Sequence, residues 1–286
     1  MPTFDTPEPI SVTLALLVGD ARITASDRTN TVVEVSPTDP SDKADRAAAE
    51  HTRIDYSRGV LLVRAPKRHR PFAPVGSINV RIELPAGSRL QGDASMADLH
   101  SEGRLGECRF GTATGNIQLD ETGRLHAKTN LGAITVDRAE SHAEVTGSGE
   151  VRVREIDGTA VIKNLNGDTW VGEITGDLRC SAANGHIAVD RAGATVGAKT
   201  ANGTVRIGEV AHGSVVLESG FGELEVGIRE GTAALLDVRS RFGSVHNSLD
   251  AAEGPQPSDE TVEVRARTSY GDIVVRRSRP ASPLPN

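Results

Sequence analysis

A glycine returns at a nearly constant interval along most of this 286-residue chain. Gly115, Gly132, Gly149, Gly167, Gly185, Gly203, Gly222, Gly243 and Gly271 are separated by 17, 17, 18, 18, 18, 19, 21 and 28 residues. Internal repetition near 20 residues marks a solenoid, in which each unit buries its apolar side only by stacking on its neighbours. This constrains the architecture far more than the chemistry.

The residues around each glycine repeat with it. Two positions on stand Ile117, Ile134, Val151, Thr169, Ile187, Val205, Leu224, Val245 and Ile273; four on stand Leu119, Val136, Val153, Val171, Val189, Ile207, Val226, Asn247 and Val275. Before the glycine, Leu178 and Cys180, Val196 and Ala198, Val215 and Leu217 hold the same phases in three consecutive units. Apolar residues two apart define a strand with one buried face. Each unit therefore reads as strand, turn at the glycine, strand, second corner. The position three before the glycine stays small: Thr112, Thr129, Thr146, Asn164, Ala182, Thr200, Ser219, Ser240 and Thr268. Asparagine precedes glycine at 166–167, 184–185 and 202–203, so asparagine side chains on adjacent rungs are expected to hydrogen-bond along the axis.

The pattern predicts an all-β fold: a right-handed, single-stranded parallel β-solenoid of nine or ten rungs, right-handed because crossovers between parallel strands overwhelmingly are. The alternative is an antiparallel β-sandwich, which Asn-Gly hairpins would suit. In one unit His142 and Glu144 occupy the inward slots while Ala143 and Val145 suit them better, so the faces are expected to slip there, with a bulge near Gly147.

Three regions are expected. Residues 1–85 lack the repeat and read as a β cap, with strands at 10–18, 21–25, 31–36, 52–56, 59–65 and 78–84, a short helix within 41–50, and a loop marked by Pro66, Pro71 and Pro74. Residues 86–277 carry the solenoid, beginning with a degenerate rung in which Leu90, Ala94, Leu99 and Ser101 face inward and Ala97 replaces the glycine. Residues 251–260 read as an inserted surface loop, and a polar tail, beginning after Val275 and disordered over 278–286, is expected to blunt the final edge.

The proline-ended strand Ile78 to Pro85 and the units TNLGAITVD (129–137), AANGHIAVD (182–190) and TANGTVRIG (200–208) resemble a bacterial β-strand-repeat family of unknown function labelled "putative adhesin". The resemblance spans roughly residues 10–277. It implies a β-solenoid, an adhesin-like binding role and no established enzyme activity.

Chemistry is sparse. No HExxH, Cys-His quartet, GxSxG, P-loop or dinucleotide fingerprint occurs, so no metal or cofactor is expected. His126 and His186 fall on outward phases. Cys108 and Cys180 lie on inward ladders about four rungs apart, out of disulfide reach, and read as reduced core thiols. Asp120 and Asp137 share a corner on adjacent rungs, about 5 Å apart by rung spacing, and Asp190 repeats the position three rungs on. That spacing suits a retaining glycosidase, yet an aspartate closing a strand before an arginine is the simpler account. A net charge of −7 argues against nucleic-acid binding, so the basic clusters at 67–70 and at Arg276, Arg277 and Arg279 read as solvated loops. Residues 10–18 are too few to span a bilayer and lack a signal-peptide layout, which places the chain in the cytoplasm.

What remains is an aromatic stripe. Phe221, Phe242 and Tyr270 each directly precede their glycine, and Trp170 stands three after Gly167, facing outward. The stripe either stabilises a corner or binds a ligand. The function expected is a non-catalytic cytoplasmic scaffold or binding module for a protein or glycan, with homo-oligomerisation open. The alternatives are a β-helix carbohydrate-active enzyme using Asp120 and Asp137, and a bactofilin-like filament, which would need exposed, matching rung ends.

Overall fold

The computed structural model describes residues 1–66, 75–249 and 260–278. It divides into two compact units, Met1–Ser148 and Gly149–Asn286. In both, the period-two apolar pattern becomes strands, and strands of successive repeats lie parallel and in register. The chain thus goes round an axis, as in a β-helix.

Unit 1 contains β1 (Thr3–Asp5), β2 (Ser11–Ser26), β3 (Asn30–Pro37), α1 (Lys43–Glu50), β4 (Arg53–Ser57), β5 (Val60–Arg64), β6 (Ser77–Pro85), β7 (Arg89–Leu105), β8 (Cys108–Thr114), β9 (Ile117–Thr122), β10 (Leu125–Thr129), β11 (Ile134–Ala139) and β12 (Ala143–Gly147). The expected cap strands are present, but the first two are one continuous strand that already behaves as a rung. β2 runs parallel to β7 from Ser11 to Thr24, setting Val12 beside Leu90, Gly19 beside Ala97 and Ile23 beside Ser101. On its other side β2 carries β5 and then β6, again parallel. The glycine signal reaches back to Gly19, whose φ is +139° and where a Cβ would stand 1.8 Å from the Ile78 carbonyl oxygen. The outermost strands reverse direction: β4 pairs antiparallel with β5, β3 with β6, and β1 with β3. Helix α1 is capped by Asp42, whose side chain accepts from the Ala44 and Asp45 amides. The Asp45 carboxylate accepts from the amides of Asp39 and Ser77, tying the helix to the start of β6.

The slipped rung behaves as its sequence requires. Leu125 pairs with Ala143 and Ala127 with Val145, and Ala143 and Val145 are fully buried. Gly132 and Ser148 form an isolated bridge beside this strand.

Unit 2 contains β13 (Val151–Ile156), β14 (Ala160–Asn166), β15 (Thr169–Ile174), β16 (Leu178–Asn184), β17 (Ile187–Ala192), β18 (Val196–Asn202), β19 (Val205–Val210), β20 (Gly213–Phe221), β21 (Leu224–Ile228), β22 (Ala233–Phe242), β23 (Val245–Asn247), β24 (Thr261–Tyr270) and β25 (Ile273–Arg277). Strands flanking Gly185 and Gly203 run the same way: β16 pairs parallel with β18 and β17 with β19, Leu178 beside Val196 and Ile187 beside Val205. This pairing overturns the antiparallel sandwich. Val196, Val205, Val215 and Leu224 are fully buried, forming a thin continuous core.

The last rungs do not stack in sequence order. β24 and β25 insert between β20/β21 on one side and β22/β23 on the other. Among the described residues, the final edge of unit 2 is therefore β22/β23. Arg276 and Arg277 belong to β25 rather than to a tail, and Arg276 Nε donates to Glu225 Oε1 at 2.7 Å. The basic cluster 67–70, Pro71, Pro74, residues 251–259 of the insertion, and Arg279 with the tail beyond it lie outside the described residues.

Candidate functional site

The repeat glycines other than Gly149 mark corners where two backbones pass too closely for any other residue. A Cβ at Gly203 would fall 2.0 Å from the Gly185 carbonyl oxygen, and at Gly185 2.1 Å from that of Gly167; both have positive φ. The small residue three positions earlier does more than fit. Thr200 Oγ1 donates to Gly185 O (3.2 Å), Ser219 Oγ to Gly203 O (2.9 Å) and Thr268 Oγ1 to Gly222 O (3.0 Å), so buried hydroxyls bind the carbonyls of the neighbouring rung. Size alone had suggested only steric economy; the recurrence of Thr and Ser rather than Ala was the available signal.

The residue before the glycine forms the exposed crest of this corner. Asn166, Asn184, Asn202, Phe221, Tyr270 and Phe242 occupy consecutive paired positions. Asn184 Nδ2 donates to Asn166 Oδ1 and Asn202 Nδ2 to Asn184 Oδ1, both at 2.9 Å, making the axial amide ladder expected from sequence. The crest then changes chemistry. Phe221 and Tyr270 stack at 4.9 Å between centroids with planes 2° apart, and Tyr270 and Phe242 at 4.8 Å and 14°. Tyr270 lies in the middle of the stack, although last in sequence, because β24 inserts between β20 and β22. The rings remain 57%, 48% and 53% exposed. Their faces lie against one another, and the Arg241 guanidinium sits 5.3 Å from the Phe242 ring centre. The stack therefore offers ring edges outward as a hydrophobic rim.

Trp170 stands elsewhere, on β15 between Arg152 of β13 and Ala188 of β17. It is half-buried, and the Arg152 guanidinium lies 5.1 Å from its ring centre. The aromatic crest and Trp170 are separate features of unit 2.

The side chains of Asp120, His186 and His126 each have a partner on a neighbouring rung. Asp120 Oδ2 accepts the Gly103 amide at 3.0 Å, a bond that fastens one rung to the next. Asp168 Oδ1 accepts the His186 amide (2.8 Å), and His186 Nδ1 accepts the Thr204 amide (3.0 Å), which places the proton of a neutral His186 ring on Nε2. His126 Nδ1 lies 3.1 Å from Glu144 Oε2. Cys108 and Cys180 are free and buried, and desolvation pushes each thiol up to about 12. Among the described residues, no cluster of three or more His, Cys, Asp or Glu could hold a metal, and no helix is long and apolar enough to cross a membrane. The described residues form open clefts, of which two are instructive. One, of about 320 Å³ in unit 1, is lined by Asp20, Arg22, Glu34 and Arg81; the other, of about 380 Å³ in unit 2, by Val216, Glu218, Asp237, Arg265 and Arg267.

No protein-family model matches the chain, and no curated protein does. Among solved structures, the chain is similar to a "putative adhesin" from Bacteroides fragilis, at 10% identity over 96% of this chain and 95% of that one, with a TM-score of 0.38. A "putative adhesin" from Parabacteroides merdae matches at 12% identity over 97% and 95%, with a TM-score of 0.36. A "Putative lipid binding protein" from Parabacteroides distasonis matches at 10% identity over 97% and 96%, with a TM-score of 0.33. The adhesin name is the one the repeat units had suggested.

Proposed function

We propose that this protein is a non-catalytic β-solenoid binding module whose contact surface is the glycine-corner crest of unit 2. The reading takes the coil as right-handed with nine or ten rungs and keeps the cytoplasmic location inferred from sequence. The observation that carries it is the aromatic rim: three stacked, near-parallel rings on residues about half exposed, in line with three hydrogen-bonded asparagines. A purely structural stack would gain most by burial, and exposed apolar patches bordered by polar groups mark interaction sites. The orientation of the rings favours a protein partner over a glycan. Sugars stack on aromatic faces, and these faces are occupied; a protein groove lined with aliphatic side chains can take the edges.

The test replaces rings by the residue the crest already uses. Phe221→Asn extends the amide ladder by one rung and removes part of the rim, so stability should change little. A specific partner isolated with the native protein should be lost with Phe221→Asn and kept with Trp170→Ala. Equal retention by Phe221→Asn and Phe242→Asn would overturn the reading.

A further inference from the structure

The final edge of unit 2 is unfinished. Val245 is 44% exposed, whereas Leu224 and Ile273 in the same ladder are fully buried. Leu236 and Val238 are only half-buried, while their ladder neighbours Val264 and Ala266 are sealed. Leu235, on the outward face of β22, is 69% exposed. Among the described residues, β22 pairs only with β24 and β23 only with β25. A strand edge in this state is a template for another strand.

We propose that a second copy of this chain covers that edge, with β22 of the two copies pairing antiparallel about a two-fold axis at Val238. Backbone geometry sets the first condition. The Ala233 amide donates to the Glu260 carbonyl at the start of β24. Alternate residues of a parallel strand bond to the same neighbour, so Leu235, Asp237 and Arg239 also turn their backbone groups toward β24. Leu236, Val238 and Ser240 turn theirs to the open edge, where each needs a partner. An antiparallel copy centred on Val238 sets Val238 opposite Val238 and Leu236 opposite Ser240, joining only residues with free groups. Inward side chains then meet inward side chains.

Charge sets the second condition. Asp237 and Arg239 both lie on the outward face and are partly exposed, with Asp237 3.3 Å from Arg239 of its own strand and from Arg267. Centring on Val238 puts Asp237 of each copy opposite Arg239 of the other. Centring one residue earlier opposes Asp237 to Asp237, and one later opposes Arg239 to Arg239. Like charges directly opposite destabilise a strand pair and unlike ones favour it, so the Val238 register is selected. A two-fold contact is self-complementary and closed. The outer edge of unit 1 is covered by antiparallel strands and does not offer the matching edge a filament needs, so the assembly stops at two.

The experiment is sedimentation of the full chain, with far-UV circular dichroism as the folding control. The native protein should sediment as a dimer. Asp237→Arg alone faces arginine with arginine, and Arg239→Asp alone faces aspartate with aspartate, so each should weaken dimerisation by tenfold or more. An equimolar mixture of the two variants should re-form dimers, because each supplies the charge the other lacks, and the Asp237→Arg/Arg239→Asp double variant should dimerise by itself. A native protein that stays monomeric at its highest soluble concentration overturns the proposal. A dimer insensitive to both charge reversals also overturns it, since another surface would then hold the copies together.

Discussion

At the outer edge of unit 1, β5 and β6 are covered by β4 and β3 running antiparallel, and Leu61, Val63, Ile78 and Ile82 are sealed to 1% exposure or less. At the outer edge of unit 2, β22 and β23 lie on β24 and β25 with no described strand beyond, and Val245 stands 44% exposed. The difference shows what stops a parallel coil. Every parallel rung presents the same ladder to the next, so another rung postpones the ending without providing one. A reversed strand offers a different set of side chains and a different hydrogen-bond spacing, and unit 1 ends on such strands. Unit 2 instead weakens its last ladder with polar residues, Asn247 standing where Val226 and Val275 stand on other rungs.

The contrast breaks most visibly at the glycines. Gly203 lies inside the coil with positive φ and no room for a Cβ, whereas Gly231, before β22, has φ +80° and nothing within 4 Å of a built Cβ. Gly203→Val should cost about 4 kcal/mol or more, because a methyl-bearing carbon cannot share space with the Gly185 carbonyl and the backbone must separate. Gly231→Ala should cost only about 1–2 kcal/mol, the penalty of a side chain at positive φ. Urea unfolding of both variants measures the gap. Near-equal values would show that the rungs yield easily.

A second comparison stays within one ladder. Ile273 is fully buried between Leu224 and Val245, and Ile273→Ala should destabilise by about 2–5 kcal/mol. Val245→Ala, one rung outward, should stay within about 0.5 kcal/mol in the monomer because little area is removed from water. Thermal unfolding at low and high protein concentration sharpens this. If a second copy covers the edge, the Val245→Ala deficit should grow with concentration; a constant deficit would mean that Val245 is as exposed in solution as in the monomer.

Parallel stacking was legible because each ladder position repeats one residue type, and no antiparallel arrangement explains Val196, Val215 and Val264 at a single phase. Spatial order was not legible. Sequence lists Phe221, Phe242 and Tyr270 in that order, and only the pairing of β24 with both β20 and β22 moves Tyr270 to the centre. The clue was Asn247, a polar residue in a slot that is apolar in every other repeat unit. The rung formed by β2 was hidden for another reason. It lies before the stretch 27–76, so its glycine, Gly19, stands far in sequence from the Ala97 beside which it packs. The crest was legible residue by residue, but not its division into amide ladder and aromatic rim, since ring orientation depends on the neighbouring ring.

Another small effect belongs to the amide ladder, and it separates two roles for the crest. Asn184 sits in its middle, donating to Asn166 and accepting from Asn202. Asn184→Ala removes both bonds, yet the freed groups are exposed and water can replace the lost partners. The cost should therefore be about 0.5–1.5 kcal/mol, the net value of one ordinary hydrogen bond, well below that of any inward ladder residue. Chemical denaturation resolves a change of this size. A loss above about 3 kcal/mol would mean that the ladder works cooperatively as a structural rail, and the asparagines would then be framework, leaving the rim of Phe221, Tyr270 and Phe242 as the only part of the crest free to serve a partner. A loss in the expected range leaves the whole crest available, since residues that contribute little to folding can be kept for contact.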